Sequence, residues 1–155
     1  MGQVDFAYRM AADGAGLPLA VSVFADRARL REEWREDLAA AGLDCRSCSG
    51  LAALAEDGPR QLSDLVLIDC PDPEPSALAA LARLDTRVAR AGARMVVTTG
   101  LEALDAVFGV CAEAGAHILV NPHRAERVIA LGRVLADGAG ARVRELSPED
   151  RLLLL

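Results

Sequence analysis

No lysine occurs anywhere in the 155 residues; all 17 basic side chains are arginines. That absence excludes a Walker A phosphate loop outright, because such a loop works through a lysine ammonium. Aromatic residues make up 3% of the chain against 52% hydrophobic residues in all, so the core must be built from Leu, Val, Ile and Ala. This composition suits helices layered on parallel strands. No run approaches the roughly 20 apolar residues that a membrane span needs. The first residues, with Asp5, Arg9 and Asp13, lack the apolar core of a signal peptide. The expected location is the cytoplasm, with no membrane partner. The formal charge is -6 and no stretch interleaves clustered arginines with aromatics, so these residues carry no electrostatic footprint for nucleic acid. Only four cysteines are present, and reduced thiols are expected for all of them. Cys45-x-x-Cys48 has no second ligand pair at similar spacing, and Cys70 and Cys111 stand alone. Ordinary packing is therefore the expectation at Cys45 and Cys48, rather than zinc or redox chemistry.

What is present is a regular alternation of strand-like and helix-like runs between residues 17 and 136. Leu19 to Phe24 is a short apolar run, after which Leu30, Trp34, Leu38 and Ala41 recur at helical spacing up to Gly42. Asp44 to Ser47 reads as a weak second strand and Leu51 to Glu56 as a short helix. Leu65 to Ile68 is the most strand-like run and delivers Asp69 at its carboxyl end. A proline-rich loop, Cys70 to Pro75, precedes a third helix marked by Leu78, Leu81, Leu84 and Val88. Met95 to Val97 forms the fourth strand, ending in Thr98 and Thr99. Leu101, Leu104, Phe108 and Cys111 predict the inward stripe of the fourth helix, leaving Val107 and Val110 off it. Ile118 to Val120 is the fifth strand, closed by Asn121-Pro122. The fifth helix is predicted to face inward through Ala125, Val128, Ile129, Gly132 and Leu135, with Leu131 outside the stripe.

Five short apolar strands joined through helices predict a doubly wound α/β fold, a five-stranded parallel sheet with right-handed crossovers and helices on both faces. The length fits one domain. Residues 1–16 form an unassigned N-terminal arm, residues 17–140 the domain, and residues 141–155 a linker and the start of a following domain. The last expectation rests on Ser147-Pro148-Glu149-Asp150, a helix-start signal followed by Arg151 and four leucines.

In such sheets ligands gather at the carboxyl ends of the strands. The residues placed there are Asp26, Asp69, Thr98, Thr99, Asn121 and Pro122. Asp69 and Asp26 also have structural readings, Asp69 as an acceptor for loop amides and Asp26 as the N-cap of the first helix. His123 sits beside the site and is expected to be solvated or packed. Gly14-Ala15-Gly16 precedes the first strand, the wrong context for a dinucleotide fingerprint. The loop Ala25 to Arg29 is not the hydroxyl- and glycine-rich turn of a flavin site, and no nucleophile elbow occurs.

An acidic residue after the first strand, another after the third, a hydroxyl after the fourth and an X-Pro after the fifth resemble the layout of bacterial response-regulator receiver domains over residues 19 to 136. The resemblance rests on Ala25-Asp26, on Asp69 in Leu-Val-Leu-Ile-Asp, on Thr98 in Met-Val-Val-Thr-Thr, and on Asn121-Pro122. It implies strand order 2-1-3-4-5, a phosphoacceptor at Asp69, a bound Mg2+ on Asp26 and Asp69 with the carbonyl of Pro71, and a responsive surface around the fourth helix and fifth strand. Two departures stand out: Ala25 replaces one of an acidic pair, and Asn121 stands where the family has lysine. Carboxylate attack on a phosphoryl donor needs fixed positive charge, and Asn121 offers none. Arg124 lies near in sequence, but nothing there aims it.

The expectation is a degenerate, non-enzymatic receiver-like domain with Asp69 a vestigial phosphoacceptor and no required cofactor. It acts through a protein partner or self-association on the surface of the fourth helix, fifth strand and fifth helix, and reaches DNA only through a following output domain. Two alternatives stay open: a working phosphoacceptor that uses Asp69 with Mg2+, and a small-ligand sensor in the same cleft.

Overall fold

The computed structural model describes residues 19–56 and 62–143. The N-terminal arm and the helix start at Ser147 lie outside the described residues. In chain order the elements are β1 (Ala20–Ala25), α1 (Ala28–Ala40), β2 (Asp44–Ser49), α2 (Ala53–Glu56), β3 (Leu65–Cys70), α3 (Pro75–Ala91), β4 (Arg94–Thr99), a 3-10 turn (Leu101–Ala103), α4 (Leu104–Val110), β5 (His117–Val120) and α5 (Arg124–Val143). The five strands form one parallel sheet in the order β2-β1-β3-β4-β5, as the sequence predicts. The last helix runs to Val143, three residues past the predicted boundary at 140.

The pleat sends alternate residues of β3 to opposite faces, and both faces are covered, which is why its sequence is continuously apolar. Leu65 and Leu67 join Leu30, Trp34 and Leu38 of α1 and Leu131, Val134 and Leu135 of α5 in one core layer. Val66 and Ile68 join Leu54, Leu81, Leu84, Val88 and Val107 in the other. Asp69 follows Leu65 and Leu67 in parity, so the chain delivers its carboxylate to the α1/α5 side of the sheet, at the carboxyl end of the central strand.

Two helices are rotated relative to the sequence reading. Val107 is fully buried and Cys111 nearly so, whereas Leu101 is 71% and Phe108 65% exposed. Leu101 belongs to a 3-10 turn, Leu101–Ala103, and not to α4, so its position does not set the phase of the helix that follows. On α5 the buried face is Arg127, Ala130, Leu131, Val134 and Leu135, while Ile129 is 54% exposed and Ala125 faces solvent. A buried arginine occupies a stripe position where an apolar residue would be sought. Its guanidinium pairs with Glu33 of α1 and donates to the carbonyl of Pro122 at 3.2 Å.

Helix phase on α4 has a direct stability readout. Val107→Ala is expected to lower unfolding free energy by about 2 kcal/mol, and Phe108→Ala to change it by less than about 0.5 kcal/mol, measured by urea denaturation. The opposite ranking would restore the phase read from sequence.

Candidate functional site

At the carboxyl edge of the sheet, register puts Ala25, Asp69 and Thr98 in one row across β1, β3 and β4. Asp69 is 1% exposed. A carboxylate so placed must find compensating donors, since an unpaired buried charge is among the most destabilising features a fold can carry. It finds three. Thr98 donates its hydroxyl to Oδ1 at 2.6 Å. Arg27 donates Nη2 to Oδ1 and Nε to Oδ2, each at 2.7 Å. The guanidinium thus grips the carboxylate in the two-pronged geometry that arginine forms and lysine does not. The hydrogen bond to Asp69 and the charge there raise the Arg27 pKa.

Arg27 was not among the residues singled out from sequence. It is the N-cap residue of α1, extended, and makes no capping bond with its own side chain. Its side chain instead folds back over the strand end, where Ala25, opposite Asp69, leaves room that a carboxylate would have filled. Arg31, one helical turn on, donates to the carbonyl of Ala25 at 3.0 Å and holds the same turn.

Asp26 does not cap α1. Its Oδ1 accepts the amide of Leu51 at 2.8 Å, in the loop after β2. A Cβ on Gly50 would lie 2.8 Å from that same oxygen, so a larger residue there would push the Asp26 carboxylate aside. The carbonyl of Pro71 accepts the amide of Gly100 at 3.0 Å, and a Cβ at Gly100 would strike that carbonyl at 2.7 Å. Thr99, buried beside Thr98, donates to the carbonyl of Cys70 at 2.8 Å. Asn121 adopts the left-handed region, φ 43, with its amide bonded to the carbonyl of Thr99 and its side chain exposed. His123 is exposed, and its backbone N–H donates to Glu126. Arg124 is drawn away from the site by Asp37 and Glu36 of α1, which raise its pKa through hydrogen bonds.

A magnesium ion prefers several oxygen ligands together with retained waters. Here both oxygens of Asp69 face a guanidinium, Asp26 is tied to Leu51, the carbonyl of Pro71 is engaged by Gly100, and Ala25 contributes only a methyl group. Among the described residues no group of three or more His, Cys, Asp or Glu side chains comes together to hold a metal. The residues present do not fit the ion; a cation already stands at Asp69, and it belongs to the protein.

Comparison with protein-family models and with curated proteins finds no match. Solved structures do match. A CheY-like receiver domain protein from Methanospirillum hungatei is 17% identical with a TM-score of 0.58, the match covering 79% of this chain and 98% of that one. The beryllofluoride-activated receiver domain of nitrogen regulatory protein C is 28% identical with a TM-score of 0.52, covering 76% and 94%. This chain has the receiver fold. NtrX from Brucella abortus, 17% identical with a TM-score of 0.58, matches over 83% of this chain but 29% of its own, so there the matched fold is part of a longer chain.

Beside this site lies a cleft of about 380 Å3, its wall made by the apolar side chains of Leu51, Pro73 and three alanines together with Ser76 and three carboxylates, Asp26, Asp72 and Glu74.

The Arg27–Asp69 pair predicts an asymmetry. Arg27→Ala leaves Asp69 buried without its main partner and should cost about 1–3 kcal/mol, below the range for a sealed pair because Arg27 is 53% exposed and water can enter. Asp69→Asn in the Arg27→Ala background should recover part of that loss. Additive losses in this double-mutant cycle would show that the two side chains do not act as a unit.

Proposed function

We propose that this chain is a phosphorylation-independent receiver-like regulatory domain of a signal-transduction protein, in which Arg27 occupies the face of Asp69 that a magnesium ion and an incoming phosphoryl group would need. The observation that supports it most is the two-pronged bond from Arg27 to both oxygens of Asp69. A carboxylate attacks phosphorus through a lone pair on one oxygen, and whichever oxygen attacks must first be freed from a strong, charge-assisted bond to Arg27. The hydroxyl that would meet an incoming phosphoryl oxygen, that of Thr98, is also committed to Asp69. Asn121 supplies no charge to offset the loss.

Regulation then comes from protein contacts, without enzymatic turnover. The large exposed apolar residues Leu101, Phe108, Val120 and Ile129 lie on or beside elements around β5, the strand at one edge of the sheet. A second copy of the chain or a partner protein covers this edge in the proposed working state. The matches to nitrogen regulatory protein C and to the longer NtrX chain support a place in a transcription regulator, with DNA contacted through an output domain following residue 147.

Amide NMR with magnesium and beryllofluoride tests the first part. Resonances of Asp69, Thr98 and their neighbours should stay in place for the native chain; saturable shifts there, or a phosphoryl adduct on Asp69 after treatment with acetyl phosphate, would establish a working phosphoacceptor instead. Sedimentation tests the second. The native chain should self-associate at micromolar concentration and Phe108→Glu with Ile129→Glu should be monomeric; an unchanged sedimentation coefficient between the two would remove self-association through this edge.

A further inference from the structure

Strand alternation places residues three apart on opposite faces of a sheet. Cys45 and Cys48 escape that rule. Val21 pairs with Cys45 but Ser22 pairs with Ser47 and Val23 with Cys48, so Arg46 is an extra residue bulged out of the β1–β2 ladder. Because Val21 and Val23 face the same core layer, both cysteines are carried to that face too, and both pack half-buried against it. The bulge makes their separation along the strand that of two residues, about 6.6 Å between Cα atoms. This is at the upper end of what a disulfide spans. The Cys45 thiol donates to the carbonyl of Ser47 at 3.6 Å, and Cys48 lies near enough to Cys45 and to Arg35 of α1 to perturb the charge of both. Burial pushes the Cys45 thiol up from its ordinary range, with the Arg35 charge opposing it. The other two cysteines are unlike these: Cys70 and Cys111 are buried in the opposite layer, and burial pushes both up to about 12.

We propose that Cys45 and Cys48 form a reversible redox site, oxidised by a peroxide to an intramolecular disulfide. The Cys48 thiolate, with Arg35 beside it, attacks one peroxide oxygen; the O–O bond breaks, hydroxide leaves and takes up a proton, and Cys48 becomes a sulfenic acid. Cys45 then attacks the Cys48 sulfur, the S–S bond forms as the S–O bond breaks, and the departing hydroxide takes the Cys45 proton. Two thiols and one hydrogen peroxide become one disulfide and two waters. A bond stretched to this span is strained, so a dithiol reductant reverses it readily. The inference stands apart from the reading of Asp69, because its test reads only sulfur.

The bulged residue provides the assay. Trypsin cuts after Arg46, so after unfolding and thiol blocking the reduced protein yields the Cys45 and Cys48 peptides separately, whereas the oxidised protein yields them joined. Treatment of the folded full chain with hydrogen peroxide should produce the joined pair, restore both separate peptides on reduction with dithiothreitol, and leave Cys70 and Cys111 unmodified. Cys45→Ser should trap the sulfenic acid at Cys48 for dimedone labelling. Arg35→Gln should slow the reaction severalfold, because the positive charge beside the attacking sulfur is lost. Absence of the joined peptides, or joining through Cys70 or Cys111, would overturn the site; an Arg35→Gln protein with native rate would overturn the part given to Arg35.

Discussion

A carboxylate buried at the end of a central strand has to be answered by hydrogen-bond donors, charged or not, and the structure around Asp69 follows from how this chain answers it. The field of an anion in a low-dielectric site is strong and reaches whichever cation can be held nearest. In this molecule the nearest is Arg27, two residues past the strand that lies beside Asp69. Its fork satisfies both oxygens, Thr98 adds a third donor, and the alanine at position 25 makes room for the side chain to return over the strand end. Asp26, relieved of any shared charge with Asp69, is free to pin the next loop through Leu51. Change the charge at Asp69 and each of these placements loses its cause.

The same use of arginine recurs on the flank of the site. Arg124 and Arg127 of α5 reach Asp37, Glu36 and Glu33 of α1, closing the two helices over one face of the sheet. Exposed pairs such as those of Arg124 add little stability singly; their part is to tie α1 to α5 beside the core layer that holds Trp34, Leu38, Leu131 and Val134. On the other face Asp85 of α3, 2% exposed, accepts the amides of Glu113 and Ala114 and ties the loop between α4 and β5 to the core. The apolar edge around β5 is therefore presented by braced elements.

Much of this was legible in the sequence, and the failures have identifiable physics. Continuous apolar runs fix where buried parallel strands lie, so β1, β3 and β4, and with them the position of Asp69, follow from pattern alone. Helix phase does not, when a 3-10 turn precedes α4 or a buried Arg127 interrupts the apolar stripe of α5. Nor does pattern reveal where a long side chain travels: Arg27 is adjacent to Asp26 in sequence, yet its partner is 42 residues away. The available signal was the alanine at position 25, a vacancy beside a buried acid with a long cation two residues on. Cys45 and Cys48 show the same limit, because a bulge at Arg46 reverses which face a strand residue meets without altering composition.

Time is the remaining consequence of the half-exposed Arg27. An acyl phosphate persists until water attacks it, and that delay serves as a memory of the signal. An ion pair with one partner open to solvent rearranges on the scale of side-chain rotation and local opening, nanoseconds to microseconds. On the reading proposed for Asp69, such a site keeps no record of past events, and its state tracks the present concentration of whatever binds the domain, by mass action alone.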